Sequence, residues 1–245
     1  MSEWQSVQLG DLTTLHYGKA LKAENRFEGS VPVFSSAGLT GYHNATLVNS
    51  EGLIIGRKGT VGKTYYSAKP FWCIDTAYYV LPDDNKYDFQ FLYYLLKTLG
   101  LEELNEDSAV PGLNRDTAYK QQFSLPLLPE QKAIAAVLSS LDDKIDLLHR
   151  QNQTLEAMAE TLFRQWFMVE AQEDWEKRTL DDVITVKGGT TPSTKEPEYW
   201  DGDIYWTSPR DLSTHSSVFL FDTERKITAK GLEKIGSGLM PVGTV

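Results

Sequence analysis

The longest run of periodic hydrophobicity in the chain lies within residues 125–167. Apolar side chains recur at Ile134, Leu138, Leu141, Ile145, Leu148, Leu155, Ala159, Leu162 and Trp166, in steps that alternate four and three, and Asn152 fills the one polar slot. A heptad stripe of this length predicts a helix with a coiled-coil seam rather than an ordinary surface helix. Pro126 and Pro129 stop whatever precedes it, and the helix is expected to start near Glu130 and to span about 55 Å. Asn152 has two readings, a device that fixes register between paired helices or a tolerated polar site. Trp166 and Phe167 have two readings, core anchors where the rod meets a second domain or platforms for base stacking, and the first is favoured.

Before the rod, short β-rich runs at 53–56, 64–66 and 76–81 read as strands, the last bounded by the turn cluster Pro82-Asp83-Asp84-Asn85. Residues 88–99 read as a helix with Phe91, Leu92, Leu95, Leu96 and Leu99 on one side, ended by Gly100. Residues 29–41, rich in Gly, Ser and Pro, read as loop. The fold class is α+β.

A repeat flanks the rod. Trp4, Leu9, Asp11 and Leu12 have the same spacing as Trp175, Leu180, Asp182 and Val183, and each set leads to a Lys-Gly element, Tyr17-Gly18-Lys19 and Lys187-Gly188-Gly189. Repeats outrank local signals in deciding architecture. The expected organisation is a first domain over 1–124, the rod over 125–170 and a partial second copy over 171–245.

Composition narrows the class. Cys73 is the only cysteine, so no intrachain disulfide can form, and the start MSEWQSVQLG has no signal-peptide character. No apolar run is long enough to cross a bilayer. The expectation is a cytoplasmic protein without a membrane partner. The net charge of −10 argues against nucleic acid when taken alone. Residues 52–69, however, hold Arg57, Lys58, Lys63 and Lys69 and no acid.

Gly56-Arg57-Lys58-Gly59-Thr60-Val61-Gly62-Lys63-Thr64 invites a phosphate-loop reading, but the spacing fails because Arg57 stands where the first glycine is required, and no helix follows. Two readings remain: a Gly-rich hairpin turn, or a basic loop that reaches DNA. In the second, Arg57, Lys58 and Lys63 contact phosphates or guanine edges with Tyr65 and Tyr66 beside them. His16, His43, His149 and His215 are isolated from one another and from Cys73, so no metal site is expected. Asp142, Asp143 and Asp146 read as a solvated helix face. No nucleophile elbow, kinase set or zinc-protease motif is present.

The run Leu125-Pro126-Leu127-Leu128-Pro129-Glu130-Gln131, continuing through Ile134 to Ile145, resembles the conserved helical region of type I restriction–modification specificity subunits. Residues 56–62 are similar to an element of that family's first target-recognition domain. Thr191-Pro192-Ser193, Tyr199-Trp200 and Ile227 to Gly231 look like the start of its second. The resemblance implies two domains that each read half of a split site on double-stranded DNA, held apart by paired helices. It implies no catalysis in this chain. Modification (methyltransferase) subunits would bring S-adenosylmethionine, and restriction (translocase) subunits would bring ATP and Mg. Arg210 is a further candidate DNA contact in the second recognition segment. Compared with the family, the second domain and a second helix look cut short. The seam of Ile134, Leu138, Leu141, Ile145, Leu148, Asn152 and Leu155 is therefore expected to lack an intrachain partner and to support self-association or pairing with another specificity chain. The rival expectation is a regulatory remnant that pairs through the helix without full DNA recognition.

Overall fold

In the computed structural model, residues 4–104, 112–171, 175–214, 219–241 and 244 are described. The chain divides into two units, Met1–Gln165 and Trp166–Val245.

The first unit is α+β. Its strands are β1 (Gln5–Gln8), β2 (His16–Tyr17), β3 (Val31–Ser35), β4 (Gly38–His43), β5 (Gly52–Gly56), β6 (Thr64–Ser67), β7 (Trp72–Cys73), β8 (Ala77–Val80) and β9 (Gln122–Leu125). Its helices are α1 (Leu9–Leu12), α2 (Phe89–Thr98), α3 (Arg115–Tyr119) and the rod, α4 (Leu128–Arg164). A four-stranded antiparallel sheet in the order β2-β8-β5-β6 forms the centre. The run GLIIG of β5 is buried at every position, as a strand covered on both faces must be. Leu53 and Ile55 point to one face and pack with Leu9, Leu12, Leu92 and Leu96; Ile54 points to the other and packs with Phe34, Val48 and Phe71. Each such side chain, fully buried, contributes about 1.5–3 kcal/mol.

Residues 29–41 correct the loop expectation: they form most of the β3–β4 hairpin, and β3 also pairs in parallel with β7. Pro32 is tolerated because β7 pairs only Val33 and Phe34, so one flank of Pro32 carries no ladder. The remaining turn chemistry falls at Ser36-Ala37, the tip of the hairpin.

Helix α2 matches the expected 88–99 segment. The Asp88 carboxylate accepts from the Phe91 N–H at 2.9 Å and caps it, and Gly100 ends it at φ +66°, a conformation glycine adopts without strain. The rod begins two residues before the expected start, at Leu128, with Pro129 in its first turn, where no N–H is needed. Ile134 and Leu138 are half-buried, Ala135 is buried, and Asp142 accepts a hydrogen bond from the Tyr94 hydroxyl at 2.8 Å. The first turns of the stripe thus serve this unit's own core. From Leu141 onward the seam is exposed, with Leu141 at 56%, Ile145 at 53% and Leu155 at 61%.

Gln131 fixes the junction. It is 2% exposed. Its Oε1 accepts from the Asp88 N–H at 2.9 Å, and its Nε2 donates to the Pro126 carbonyl at 2.9 Å. One buried amide therefore ties the start of α2 to the segment that leads into the rod.

In the second unit, the one-turn helix α5 (Leu180–Val183) stands where the repeat places the counterpart of α1. Strands β10 (Trp200–Trp206) and β11 (Arg225–Ile227) pair antiparallel, flanked by α6 (Pro209–Thr214) and α7 (Ala229–Leu232). Trp200 and Ile227 are buried, and the Arg225 guanidinium lies 3.4 Å from the centre of the Trp200 ring. Asp211 accepts from the Glu224 and Ser208 backbone N–H groups, which hold its carboxyl down at about 2. Leu9 is fully buried but its counterpart Leu180 is 73% exposed. Trp166 and Phe167 are 54% and 50% exposed, which corrects their expected role as core anchors.

Replacing Gln131 with Ala leaves the Asp88 N–H and the Pro126 carbonyl buried and unpaired. The expected cost is about 1–3 kcal/mol, read as a lower midpoint in chemical denaturation of the full chain with an unchanged slope.

Candidate nucleic-acid interface

The basic run of the sequence folds into the turn that joins β5 to β6. The Gly56 N–H donates to the Lys63 carbonyl at 2.9 Å, and the Gly62 N–H donates to the Gly56 carbonyl at 2.8 Å. Gly62 sits at φ +73°, and a Cβ there would lie 2.3 Å from the Glu102 nitrogen. The segment is therefore a hairpin turn, and the same closure lifts its cations to the surface: Lys58 and Lys63 are exposed and Arg57 is half-buried.

Long-range backbone bonds bring other elements to this end of the sheet. The Arg57 and Lys58 N–H groups both donate to the Thr76 carbonyl, and the Leu113 N–H donates to the Arg57 carbonyl at 2.8 Å. The Gly18 N–H donates to the Ala77 carbonyl at 3.2 Å, placing Tyr17 and Lys19 alongside. Asn114 caps α3, its Oδ1 accepting from the Asp116 N–H at 2.8 Å, and this fixes the direction in which Arg115 leaves the helix.

The side chains converge on Tyr17. The guanidinium of Arg57 lies 5.4 Å from the centre of its ring and that of Arg115 lies 5.1 Å from it, within cation–π range. The Tyr78 ring meets Tyr17 edge-on at 5.1 Å, and its hydroxyl donates to the Leu113 carbonyl at 3.1 Å. Burial pushes that hydroxyl up to about 12, and the neighbouring Tyr17 adds to the rise, against the pull of Arg57 and Arg115. Arg57 donates through Nε and Nη2 to the Asp75 carbonyl, at 3.1 and 2.6 Å. Among the described residues, none of Lys19, Arg57, Lys58, Lys63 and Arg115 forms an ion pair.

The other candidates lie elsewhere. Tyr66 turns into the core against Phe89 and Tyr93, and its hydroxyl donates to the Glu51 carboxylate. Tyr65 packs on the opposite face of the sheet, beside Ile54 and Phe71. Both fall further along β6 than the turn, paired with Ile54 and Leu53, so the structure does not join them to Arg57. Arg210 belongs to the second unit and forms an ion pair with Glu224 at 3.3 Å. Tyr17 and Arg115 are not among the residues that the sequence pattern singles out. The one local signal near them is Asn114, a good helix-cap residue directly before Arg115.

Among the described residues, no group of His, Cys, Asp and Glu is placed to hold a metal ion, and no helix is long and apolar enough to cross a membrane. His215 lies outside the described residues. The rod's exposed seam residues Leu141, Ile145, Leu148, Asn152 and Leu155 form the other candidate surface.

Known proteins are similar to this chain in sequence and in fold. The model of the type I restriction modification DNA specificity domain matches residues 1–157 and 172–245, the two segments that carry the repeat. The specificity subunit of the type I restriction enzyme MjaIX from Methanocaldococcus jannaschii is 37% identical over 86 residues, which are 35% of this chain and 20% of that protein. The EcoR124I/EcoR124II specificity subunit from Escherichia coli is 27% identical over 173 residues, 66% of this chain and 41% of that protein. The crystal structure of the S subunit of a type I restriction–modification system from M. genitalium superposes with a TM-score of 0.60 at 20% identity, covering 92% of this chain and 62% of that one, and so has the same fold. The chain spans less than two thirds of the length of each.

Replacing Gly62 with Ala forces a side chain into the left-handed region and against the backbone of Leu101 and Glu102. A loss of more than about 1 kcal/mol is expected, measured by thermal unfolding against the wild-type chain.

Proposed function

Because this chain belongs to the family of type I restriction modification DNA specificity domains, matched over residues 1–157 and 172–245, we propose that it recognises double-stranded DNA within a type I restriction–modification complex. The observation that carries this reading is the group of cations without ion-pair partners among the described residues: Lys19, Arg57, Lys58, Lys63 and Arg115 at one end of the first unit's sheet. Phosphate contacts require exposed positive charge that is not already neutralised. The first unit reads one half of a bipartite site and the second unit the other. The chain itself performs no catalysis. Modification subunits supply S-adenosylmethionine and restriction subunits supply ATP and Mg, and both work beside it in the cytoplasm.

The rod is the spacer and the assembly surface. Its seam from Leu141 to Leu155 is exposed, and Asn152 sits within it. An apolar stripe of this length is covered in solution by another long helix, either a second copy of this chain or a further specificity helix. Flanking ion pairs at Arg150–Asp146 and Arg164–Glu160 lie along the same helix and keep its outer face soluble.

Two measurements test this reading. Binding of the full chain, alone and with a modification subunit, to a random-sequence duplex should weaken steeply with salt. Lys58→Ala should lower affinity uniformly across sequences and reduce the salt slope by about 1; affinity insensitive to both would sink the assignment of the turn. In light scattering, the wild-type chain should associate at micromolar concentration, and a Leu141→Glu, Ile145→Glu variant should be monomeric. A monomeric wild type would remove the self-pairing reading.

A further inference from the structure

We propose that Arg57 reads a guanine edge in the major groove and that Tyr17 and Arg115 position it. This inference rests on the DNA-binding reading above and assigns the chemistry of one subsite within it.

Arg57 is held along one edge of its guanidinium. Its Nε and Nη2 both donate to the Asp75 carbonyl, so the side-on edge is occupied. Among the described residues no hydrogen bond occupies the end-on edge, Nη1 with the second hydrogen of Nη2. Two parallel donors on that edge match N7 and O6 of guanine, the commonest specific contact between a protein and a base. The Tyr17 and Tyr78 rings, at 5.4 and 5.8 Å, pack against the same group. A guanidinium fixed by a carbonyl and two rings loses little rotamer freedom on binding. A phosphate contact needs no such preorganisation, and the exposed Lys58, Lys63 and Lys19 already supply charge for it.

Arg115 supplies the second observation. Its Nε is buried without a hydrogen-bond partner, and its guanidinium rests over the Tyr17 and Tyr119 rings at 5.1 and 5.9 Å. Two cations are thus gathered beside one tyrosine, and neither faces a carboxylate partner among the described residues. Such a pair is costly in the free chain and is relieved by an electronegative acceptor brought between or beside them. Tyr17 stays 51% exposed despite these neighbours, as a ring that spaces two guanidinium groups at a contact surface must.

The test uses the full chain and a pool of random-sequence duplexes, with bound molecules sequenced after selection. The wild type should enrich a motif with guanine at one position. Arg57→Lys keeps the charge but not the fork, and should reduce discrimination at that position by about 5- to 150-fold while leaving the salt slope unchanged. Tyr17→Ala and Arg115→Gln should relax the same position and no other, and Tyr17→Phe should restore the preference. Each variant is compared at equal folded fraction by circular dichroism. If the wild type enriches a motif that Arg57→Lys enriches equally, the cluster holds phosphate only and the base-reading assignment is overturned, while DNA recognition stands. If the wild type retains no duplex above background, both readings fall together.

Discussion

The first unit depends on one buried amide. Gln131 is buried with both ends of its side chain bonded, to the Asp88 N–H and to the Pro126 carbonyl. A leucine in its place would gain apolar burial but orphan two backbone groups, and the orphaned pair costs more than the burial returns. Because Asp88 also caps α2, and α2 contributes Leu92 and Leu96 to the core beneath the sheet, the bond pattern couples sheet, helix and rod. The direction in which the rod leaves the first unit is therefore set by buried hydrogen bonds rather than by a flexible linker. A chain that measures the distance between two half-sites, as proposed for this one, needs that stiffness.

The same coupling divides the apolar stripe. Ile134 and Leu138 belong to the same four-three stripe as Leu141, Ile145 and Leu148, yet the first two are half-buried and the later three are exposed. Periodicity reports that a helix face will be buried; it does not report by what. Here α2 packs against the rod, while Leu141, Ile145 and Leu148 stay exposed. The exposed part leaves about 1.5–3 kcal/mol per leucine or isoleucine unclaimed, which is the driving force for the proposed pairing of rods.

The rod, α2, the central strands and the repeat were legible in the sequence because each rests on local spacing. The α1 and α5 helices stand at matching positions. The β3–β4 hairpin was not legible. Gly, Ser and Pro signal a turn wherever they cluster, and only the tertiary fact that β7 pairs no further than Val33 explains why Pro32 can sit in a strand. The interface was legible in part. An acid-free basic run pointed to Arg57, Lys58 and Lys63, but Tyr65 and Tyr66 were grouped with them by adjacency along a strand whose alternation sends the two rings to opposite faces. Tyr17 and Arg115 join Arg57 from distant parts of the chain through β-ladder and cap geometry. No local pattern encodes that meeting.

Net charge was a poor guide for a related reason. A charge of −10 is a sum over the whole surface, but at physiological ionic strength a charge is screened within about 8 Å. What a duplex would meet is the local field, and at this end of the sheet the cations lack carboxylate partners among the described residues. Elsewhere, ion pairs such as Arg210–Glu224 and Lys230–Glu198 neutralise their cations locally. An acidic remainder then has a directional consequence. It disfavours approach of a polyanion to the acidic parts of the surface, so the acidity that argues against DNA in total is compatible, once cations are gathered at one end of the first unit's sheet, with a duplex that meets that unit there.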